Sequence, residues 1–458
     1  MVTTPFPPYN NIGGVRTGKM AKYLVRAGHD VRVVTVRNQF KPVALSLEIP
    51  FAAVTYAPWL NLALEPGPAI GGFRGLLRSL ARGLAPLDEE VVRGEGRGAR
   101  GEGRGAGGAG RLWRFVHAGA GFPDPLVGWY PFARRAALRI ARTRMPDVIY
   151  ASSPGPTGLL VAHSVAGRLH VPWVAEFRDL WMDHPALGWT GWRRRLGEWL
   201  ERRTLGTAAA MVTVSEPWAE LLRRKFGKPV VVVTNGFDPE DFPRREARGE
   251  GRGARDEGLR LVHTGILDGS SRDPSPLFAA IALLNRDRGP GTADRQSKLR
   301  VAFYGPDEAL SVAGRLASRY GVAANVELIP SVPYRESLRA QSEADVLLML
   351  LWKAATGSEA KAGWHSGKLF EYMGARRPIL AVGTAGDAAE LIRARRLGPV
   401  LSDPSEIARQ LEEWMAVKSR GGTIAPPPEG AAAGFTREEQ ARNLEKVLLA
   451  VVSGGIDN

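Results

Sequence analysis

The sequence DVIYASSPGPTGLLVAHSVAGRLHVPWVAEF, residues 147–177, decides the fold class. It contains a short β-branched and aliphatic run, then a segment with a helical pattern, and then a second apolar run, PWVAEF. A strand followed by a helix and another strand is the repeating unit of a parallel sheet. These residues therefore predict an α/β domain built on a parallel sheet.

The same alternation extends in both directions from this stretch. The first series comprises VRVVTV, DVIYASS, PWVAEF, AAMVTVS and PVVVVTNGFD, and the second comprises LRLVHTG, LRVAFYG, VELIPSV, ADVLLMLL and RPILAVG. Helical patterns separate the runs in both series. Two such series predict two parallel, doubly wound sheets, and hence two domains.

The segment RGEGRGAR occurs twice, at residues 93–100 and 248–255. The first copy belongs to a Gly/Arg-rich insert at 93–111, and the second lies between the two series, in PRREARGEGRGARDEG, residues 243–258. Neither segment has an apolar face to bury, so we expect a flexible insert and a flexible linker. Arg/Gly segments can also bind single-stranded nucleic acid, but such binders usually interleave aromatic residues, which both copies lack. We therefore expect solvated segments.

The composition is that of a soluble globular protein with two or three domains. Of its 458 residues, 44% are hydrophobic and 24% are charged. The net charge of +15 suits nucleic acid, an anionic membrane surface or a phosphorylated substrate, without choosing among them. The chain has no Cys, which excludes disulfides and thiol nucleophiles. Apolar runs such as VLLMLLW are shorter than the ~18 residues that span a bilayer, and MVTTPFPPYN does not resemble a signal peptide, so we expect a cytoplasmic protein.

The segment GWHSGKLFEYMGARRPILAVG, residues 363–383, has the features of a phosphate site. Ser366 and Gly367 can start a helix whose free N–H groups and positive dipole end attract phosphate, and Lys368 adds a mobile positive charge. Glu371 lies one turn further along, where its carboxylate can accept hydrogen bonds from a ribose diol. A surface Lys/Glu pair at helical spacing is the alternative interpretation.

Two glycine turns strengthen the phosphate interpretation. HTGILDGSSRDP places Gly265 and Arg272 after the first strand of the second series, and FYGPDE places Gly305 after the next strand. Ligands of open parallel sheets bind at the carboxyl ends of the strands. A glycine turn, a basic residue and a helix N-terminus together predict a nucleotide-diphosphate site. The chain lacks GxxxxGK[ST], and no GxGxxG stands between a predicted strand and helix, which argues against a P-loop or a standard NAD site.

Several motifs occur in an order that resembles a known enzyme family. They are, from the N-terminus, PFPPYNNIGGVRTGKMAKYLVRAGHDVRVVT, VPWVAEFRDLW, MVTVSEPW, VTNGFD, LVHTGILDGSSRDP, ADVLLML and GKLFEYMGARRPIL. The order and spacing of these motifs, over nearly the whole chain, resemble those of GT-B glycosyltransferases. The resemblance is greatest to family 4 (group 1), whose members transfer sugars from nucleotide donors during surface-polysaccharide or glycolipid assembly.

The resemblance implies a specific domain organisation. Two Rossmann-like domains would face each other across a cleft that holds the active site, and the last helix would cross back to the first domain. We accordingly expect an N-terminal acceptor-side domain at 1–242, the linker at 243–258, a nucleotide-sugar-binding domain at 259–434, and the returning helix at 435–458.

The resemblance also implies roles for single residues. Gly13 and Gly14 would form the turn after the first strand, against the reacting sugar and the diphosphate. Arg272 and Lys368 would hold the diphosphate and offset the charge on the leaving nucleotide, while Glu371 would bind the ribose. The other expected donor-site residues are Gly265, Gly305, Ser366, Gly367 and Leu369. Two cations and a helix N-terminus would replace a divalent ion, so the reaction would be metal-independent. The resemblance also implies that the anomeric configuration is retained and that no cofactor takes part.

The sequence departs from the family pattern in three places. The family often has two glutamates eight positions apart, but Gly363 stands where the first is expected, so the identity of the donor sugar stays open. Many members have a His after the strand that matches WVAEF, where this chain has Arg178 and Asp179. With Gly14 these are the candidate catalytic residues: Arg178 could stabilise leaving-group charge and Asp179 could orient a sugar hydroxyl, although a structural Arg/Asp pair is equally consistent. Only MVTTPF precedes PPYNNIGG, so we expect a weakened first strand.

The segment GWTGWRRRLGEWLERRTLG, residues 188–206, predicts an amphipathic helix. Trp192, Leu196, Trp199 and Leu200 fall on one face, and arginines largely surround them. This pattern suits a helix at an anionic membrane surface, and it equally suits a helix that packs on the first domain.

Together, the residues and the resemblance predict a hexosyl- or N-acetylhexosaminyltransferase. We expect a UDP- or GDP-linked donor, a lipid-linked or polysaccharide acceptor, and peripheral contact with an anionic membrane at its inner face. We expect no nucleic-acid partner and no bound metal. Two alternatives stay open: a non-transferase GT-B enzyme, such as a nucleotide-sugar epimerase, and an Arg/Gly-mediated nucleic-acid-binding protein.

Overall fold

The structure is a computed structural model. This structure describes residues 1–9, 12–37, 44–62, 121–184, 189–243, 258–267, 272–286, 298–352, 367–384 and 386–455. The chain divides into two compact units, Met1–Thr234 with Arg437–Asn458, and Asn235–Thr436. The predicted insert at 93–111 and nearly all of the predicted linker at 243–258 lie outside the described residues.

The first unit contains a seven-stranded parallel sheet, in the order β3-β2-β1-β4-β5-β6-β7. Its strands are β1 (Val2–Thr3), β2 (Val33–Val36), β3 (Val54–Ala57), β4 (Ile149–Ser153), β5 (Trp173–Phe177), β6 (Ala210–Thr213) and β7 (Val230–Val232). Its helices are α1 (Ile12–Arg26), α2 (Tyr130–Thr143), α3 (Pro156–Leu169), α4 (Gly191–Leu205) and α5 (Glu216–Phe226). The stretch 147–177 forms β4, α3 and β5, as its pattern predicts.

The second unit contains a six-stranded parallel sheet, in the order β10-β9-β8-β11-β12-β13. Its strands are β8 (Leu259–Thr264), β9 (Leu299–Gly305), β10 (Val326–Pro330), β11 (Val346–Leu350), β12 (Ile379–Val382) and β13 (Val400–Leu401). Its helices are α6 (Ser275–Arg286), α7 (Asp307–Arg319), α8 (Tyr334–Glu343), α9 (Gly367–Ala375), α10 (Asp387–Ala394) and α11 (Pro404–Ser419). Both sheets are doubly wound, which confirms the predicted fold class.

Burial of both sheet faces explains why β11 is continuously apolar. In β11, Val346, Leu348 and Leu350 contact one hydrophobic cluster, while Leu347 and Met349 contact the cluster on the opposite face. A strand that is covered on both sides has no solvent face, so it does not alternate polar with apolar residues. The run ADVLLMLL follows from this arrangement.

The first strand is short but central. β1 has two residues, and Val2 pairs with Val34 on one side and Ala151 on the other.

The expectation of a turn at Gly13 and Gly14 is wrong, because both residues belong to the first turn of α1. A Cβ on Gly14 would lie 3.0 Å from the carbonyl oxygen of Tyr9, so glycine lets the start of this helix approach the preceding loop closely.

The last helix, α12 (Arg437–Ser453), belongs to the first unit. Leu444 and Val447 share a buried cluster with Met20 and Tyr23 of α1. The first unit otherwise ends at Thr234, before residue 242, where the sequence analysis places the domain end.

The earlier boundary has a packing cause. Phe237 and Phe242 pack against the hydrophobic cluster of the second unit and lie over Gly374, where a Cβ would be 2.5–2.7 Å from their rings. No helix in the described part of the chain is both long and apolar enough to cross a membrane.

Candidate active site

Two glycines at adjacent strand ends form the floor of the candidate donor site in the second unit. The N–H of Gly265, just after β8, donates to the carbonyl oxygen of Tyr304 in β9 at 2.6 Å. Gly265 has a φ of +125°, and a Cβ on Gly305 would lie 2.7 Å from the carbonyl oxygen of Gly265. A side chain at position 305 would therefore force these backbones apart, and the backbone conformation at position 265 favours glycine.

Lys368 occupies the space that glycine leaves open at position 265. A Cβ on Gly265 would lie 1.8 Å from Cε of Lys368 and 2.3 Å from its Nζ. Lys368 is the second residue of α9, whose first residue is Gly367 and whose third, Leu369, is fully buried. The start of α9 thus places a cation across the end of β8. Ser366, the remaining predicted residue here, lies outside the described residues.

The charges around Lys368 do not balance each other. Burial lowers the pKa of Lys368, the carboxylate of Glu371 raises it, and the positive charge of Arg272 lowers it again. Arg272 itself lies with its guanidinium carbon 5.1 Å from the ring centre of Trp352, in a cation–π contact. Two cations are therefore held at the same edge of the sheet, where an anion between them would be stabilised.

Gln341, which was not among the predicted site residues, fixes Glu371. Glu371 is 6% exposed, and its Oε2 accepts a hydrogen bond from Nε2 of Gln341 in α8, at 3.2 Å. The same Nε2 lies 3.1 Å from Oγ1 of Thr264, at the end of β8. Gln341 thus ties the carboxylate to the strand end. The signal for it was a Gln on the inner face of an otherwise polar helix, YRESLRAQSE.

His263 and Tyr372 brace the strand ends behind this site. The hydroxyl of Tyr372 accepts from the N–H of Thr264 and donates to the carbonyl oxygen of Leu348, both at 3.2 Å. Nδ1 of His263 lies 2.9 Å from the same carbonyl oxygen. Burial lowers the pKa of His263 to about 4 and raises that of Tyr372 to about 12, so both side chains are neutral at pH 7.

A buried ion pair lies at the carboxyl end of the first unit's sheet. Nη2 of Arg16, in α1, is 2.6 Å from Oε1 of Glu176 in β5, and it also donates to the carbonyl oxygen of Val233. Ser152 donates to the second carboxylate oxygen of Glu176. Burial opposes ionisation of Glu176, but Arg16, Arg178 and Ser152 outweigh it and hold its pKa below the usual range. The sequence signal was the single charge in WVAEF, since a buried charge needs a partner.

Arg178, the residue after β5, lies next to this pair and contacts the ends of two other strands, β1 and β4. Its Nη2 donates to the carbonyl oxygen of Thr4 at 2.8 Å, and its Nε donates to that of Ser153 at 3.3 Å. Nη1 is buried and has no hydrogen-bond partner among the described residues. Burial lowers the pKa of Arg178, while Glu176 and Asp179 raise it. These bonds give Arg178 a structural function, and its catalytic function stays a prediction.

The predicted residues therefore form two groups, one in each unit. Gly265, Arg272, Gly305, Gly367, Lys368, Leu369 and Glu371 belong to the second unit. Gly13, Gly14, Arg178 and Asp179 belong to the first. Asp179 is half-buried and follows Arg178, two residues after the end of β5.

Comparison with known proteins gives a family match and a fold match. Residues 70–241 match the family model described as Glycosyltransferase Family 4. A search of curated proteins finds no match. The sucrose-phosphate synthase of Thermosynechococcus elongatus is similar in structure, with 13% identity, a TM-score of 0.57, and coverage of 96% of this chain and 94% of that one.

Two further solved structures are more distant. Anabaena Alr3699/HepE, solved with UDP, has 13% identity and a TM-score of 0.48, with coverage of 74% of this chain and 88% of that one. The α,α-trehalose 6-phosphate synthase of Burkholderia multivorans has 14% identity and a TM-score of 0.47, with coverage of 75% and 79%. Residues 70–241 thus match glycosyltransferase family 4, and the two doubly wound sheets give the chain the GT-B fold.

Proposed function

We propose that this protein transfers a sugar from a UDP- or GDP-linked donor to a lipid-linked or polysaccharide acceptor. In this proposal the anomeric configuration is retained and no metal ion takes part. One observation carries the donor assignment: Lys368 lies across Gly265 at the start of α9, at the carboxyl edge of a parallel sheet. Edges of this kind bind nucleotides in doubly wound folds.

The arrangement suits a diphosphate because it combines two cations with a helix N-terminus. Burial disfavours the charged form of Lys368, and the positive charge of Arg272 disfavours it further. A bound diphosphate would offset both effects, since an adjacent anion stabilises a cation. The N–H groups of the first turn of α9 add donors that point toward the same place.

The same groups would assist departure of the nucleotide. As the bond between the sugar and the diphosphate breaks, negative charge grows on the leaving phosphate oxygen. Lys368 and Arg272 would stabilise this charge, as a divalent cation does in other transferases. Glu371, held by Gln341, would accept hydrogen bonds from the ribose hydroxyls and fix the position of the nucleotide.

The acceptor and the sugar are proposed from the resemblance. A hexose or N-acetylhexosamine is the transferred group, and a lipid-linked acceptor places the enzyme at the inner face of a membrane. Gly363, where relatives often have a carboxylate that contacts the donor sugar, lies outside the described residues. Anabaena Alr3699/HepE was solved in complex with UDP, which favours a uridine nucleotide as the first donor to test.

A thermal-shift screen against UDP, GDP, ADP and their sugars tests the proposal. A ligand that binds only the folded state raises its melting temperature, by an amount that grows with concentration over Kd. We expect UDP or GDP to stabilise the wild type, and Lys368→Ala and Arg272→Ala to weaken the affinity about tenfold or more. Arg319→Ala, an exposed arginine of the same unit, is the matched control and should bind as the wild type does.

The outcomes separate the candidate classes. Stabilisation by oligonucleotides, with no response to nucleotides, would indicate a nucleic-acid-binding protein. Nucleotide-sugar binding followed by conversion of the sugar, without transfer to any acceptor, would indicate an epimerase. Unchanged nucleotide affinity in both the Lys368 and the Arg272 variant would remove the site assignment.

A further inference from the structure

Helix α4 presents an apolar stripe to solvent. Trp192, Leu196 and Trp199 have 58%, 39% and 56% of their surface exposed. Their spacing of four and three residues puts them on one face of the helix. Single exposed apolar residues are ordinary, but a continuous stripe that contains two tryptophans marks an interaction surface.

The opposite face of α4 is fixed to the first unit, so the stripe cannot turn inward. Oε2 of Glu201 lies 2.5 Å from Nζ of Lys225, and Oε1 accepts from the N–H of Met182 at 3.2 Å. A Cβ on Gly197 would lie 2.5 Å from Sδ of Met182, which shows how closely the helix approaches the loop beneath it. The tryptophans therefore point outward because the helix is anchored on its other side.

Arginines border the stripe, and the acidic residues of the helix do not neutralise them. The helix contains five Arg and two Glu. Glu201 is buried against Lys225, and Glu198 pairs with Arg194 at 2.8 Å. The exposed surface of α4 is therefore net positive. Arg195, Arg202 and Arg203 are exposed beside the stripe, and we call these three residues with Trp192, Leu196 and Trp199 the Trp–Arg face.

One contact within the Trp–Arg face, and another between this face and the neighbouring Arg193, suit a boundary between water and hydrocarbon. The guanidinium carbon of Arg203 lies 5.7 Å from the ring centre of Trp199, and that of Arg193 lies 5.7 Å from the ring centre of Trp192. Stacked in this way, the arginines can extend to phosphate while the indoles remain at headgroup depth. Trp189 is not part of this face, because its ring packs 5.2 Å from that of Phe122.

We propose that the Trp–Arg face docks on an anionic lipid bilayer, with Trp192 and Trp199 inserted at the level of the headgroups. An amphipathic helix with an apolar stripe and a basic border is the ordinary device for this purpose. The net charge of the whole chain, +15, draws the protein toward the same surface. A single-stranded nucleic acid would use the arginines and the indoles but would leave Leu196 without a counterpart.

Vesicle co-sedimentation of the full chain tests the docking. We expect the wild type to bind vesicles of phosphatidylcholine with phosphatidylglycerol at low salt, and to bind pure phosphatidylcholine vesicles much more weakly. Each basic residue near an anionic surface contributes about fivefold, so Arg195→Gln, Arg202→Gln and Arg203→Gln together should weaken binding about 100-fold. The control changes three exposed arginines of the second unit, Arg315, Arg319 and Arg335, to Gln, and should lower binding far less.

Brominated lipids locate the contact on the helix. Bromine on the upper acyl chain quenches inserted tryptophans, so the wild type should lose part of its fluorescence on these vesicles. Trp192→Phe with Trp199→Phe should retain binding, since phenylalanine keeps the apolar stripe, but should lose most of the bromine-dependent quenching. Circular dichroism and thermal unfolding show whether each variant is folded.

Four results would overturn the proposal. The first is wild-type protein that stays in the supernatant with anionic vesicles at low salt. The second is vesicle binding that the α4 arginine triple variant retains. The third is a dimer, detected by light scattering, that is absent in the variant carrying both Trp192→Ala and Trp199→Ala. The face would then be an interface between two copies of the chain. Salt-sensitive binding of a single-stranded oligonucleotide through these residues, without vesicle binding, would equally replace the bilayer as the partner.

Discussion

Replacement of Gly265 by Ala should weaken nucleotide binding through Lys368. The new Cβ would lie 1.8 Å from Cε and 2.3 Å from Nζ of Lys368, separations that no folded protein accommodates without movement. The lysine must leave the end of β8, and its contact with the diphosphate is lost. A charge-assisted hydrogen bond contributes about 1.5–3 kcal/mol, so Kd should rise about 10- to 150-fold.

The substitution also strains the backbone, and a matched control separates the two effects. Gly265 has a φ of +125°, where an alanine costs about 1–3 kcal/mol of stability. Gly386, in the same unit, has a φ of +107°, and a Cβ there would meet nothing within 4 Å. Gly386→Ala should therefore lower stability by a similar amount and leave nucleotide affinity unchanged.

Isothermal titration calorimetry with the nucleotide found by the thermal-shift screen measures the affinity, and urea denaturation measures the stability. Lys368→Ala removes the colliding side chain, so adding Gly265→Ala to it should cause little further loss of affinity. Wild-type affinity in Gly265→Ala would refute the reasoning. So would an additive effect of the two substitutions, or an equal loss of affinity in Gly386→Ala.

Three other predictions concern the acid response, the buried ion pair and the repeats. Burial lowers the pKa of His263 from 6.5 to about 4, so as the pH falls the unfolded chain takes up this proton before the folded chain does. The stability that depends on neutral His263 is therefore complete above pH 6.5 and falls by about 3 kcal/mol between pH 6.5 and pH 4. In His263→Gln, the urea-denaturation midpoint should change less with pH across this range. Glu176→Gln removes the carboxylate that pairs with buried Arg16 and should cost about 3–5 kcal/mol in urea denaturation. A further change of Arg16 to Met should recover part of the loss, and an additive double variant would contradict the pairing. Deletion of residues 94–110, with residues 247–256 replaced by a Gly/Ser linker of equal length, should leave melting temperature and nucleotide affinity unchanged, and loss of turnover in a stable variant would show that the repeats are functional.

The fold was predictable where strands are buried on both faces. LRLVHTG, LRVAFYG and ADVLLMLL became β8, β9 and β11 because short, mainly apolar runs between helical patterns have few other solutions in a globular domain. β3 and β13 were not predicted. β3 has four residues and β13 two, and both are edge strands with partly exposed side chains, so their pattern is weak.

The candidate site was predictable only where a single segment carries it. Gly367, Lys368 and Glu371 stand together in the sequence, and the helical period alone places them at one helix start. Gln341 reaches Glu371 across 30 residues, and Arg16 reaches Glu176 across 160 residues, so only the tertiary fold reveals these partners. The turn predicted at Gly14 was wrong because close packing against Tyr9, rather than a turn, requires the glycine.

The most direct test of the central claim compares nucleoside diphosphates with their nucleosides in the presence of EDTA. Calorimetry should measure at least tenfold tighter binding of UDP than of uridine, or of GDP than of guanosine, because the diphosphate adds contacts to Lys368, Arg272 and the start of α9. In Lys368→Ala this preference should shrink by about tenfold or more while the nucleoside affinity stays the same. Equal affinities for diphosphate and nucleoside in the wild type, or a preference that needs a divalent cation, would contradict the account.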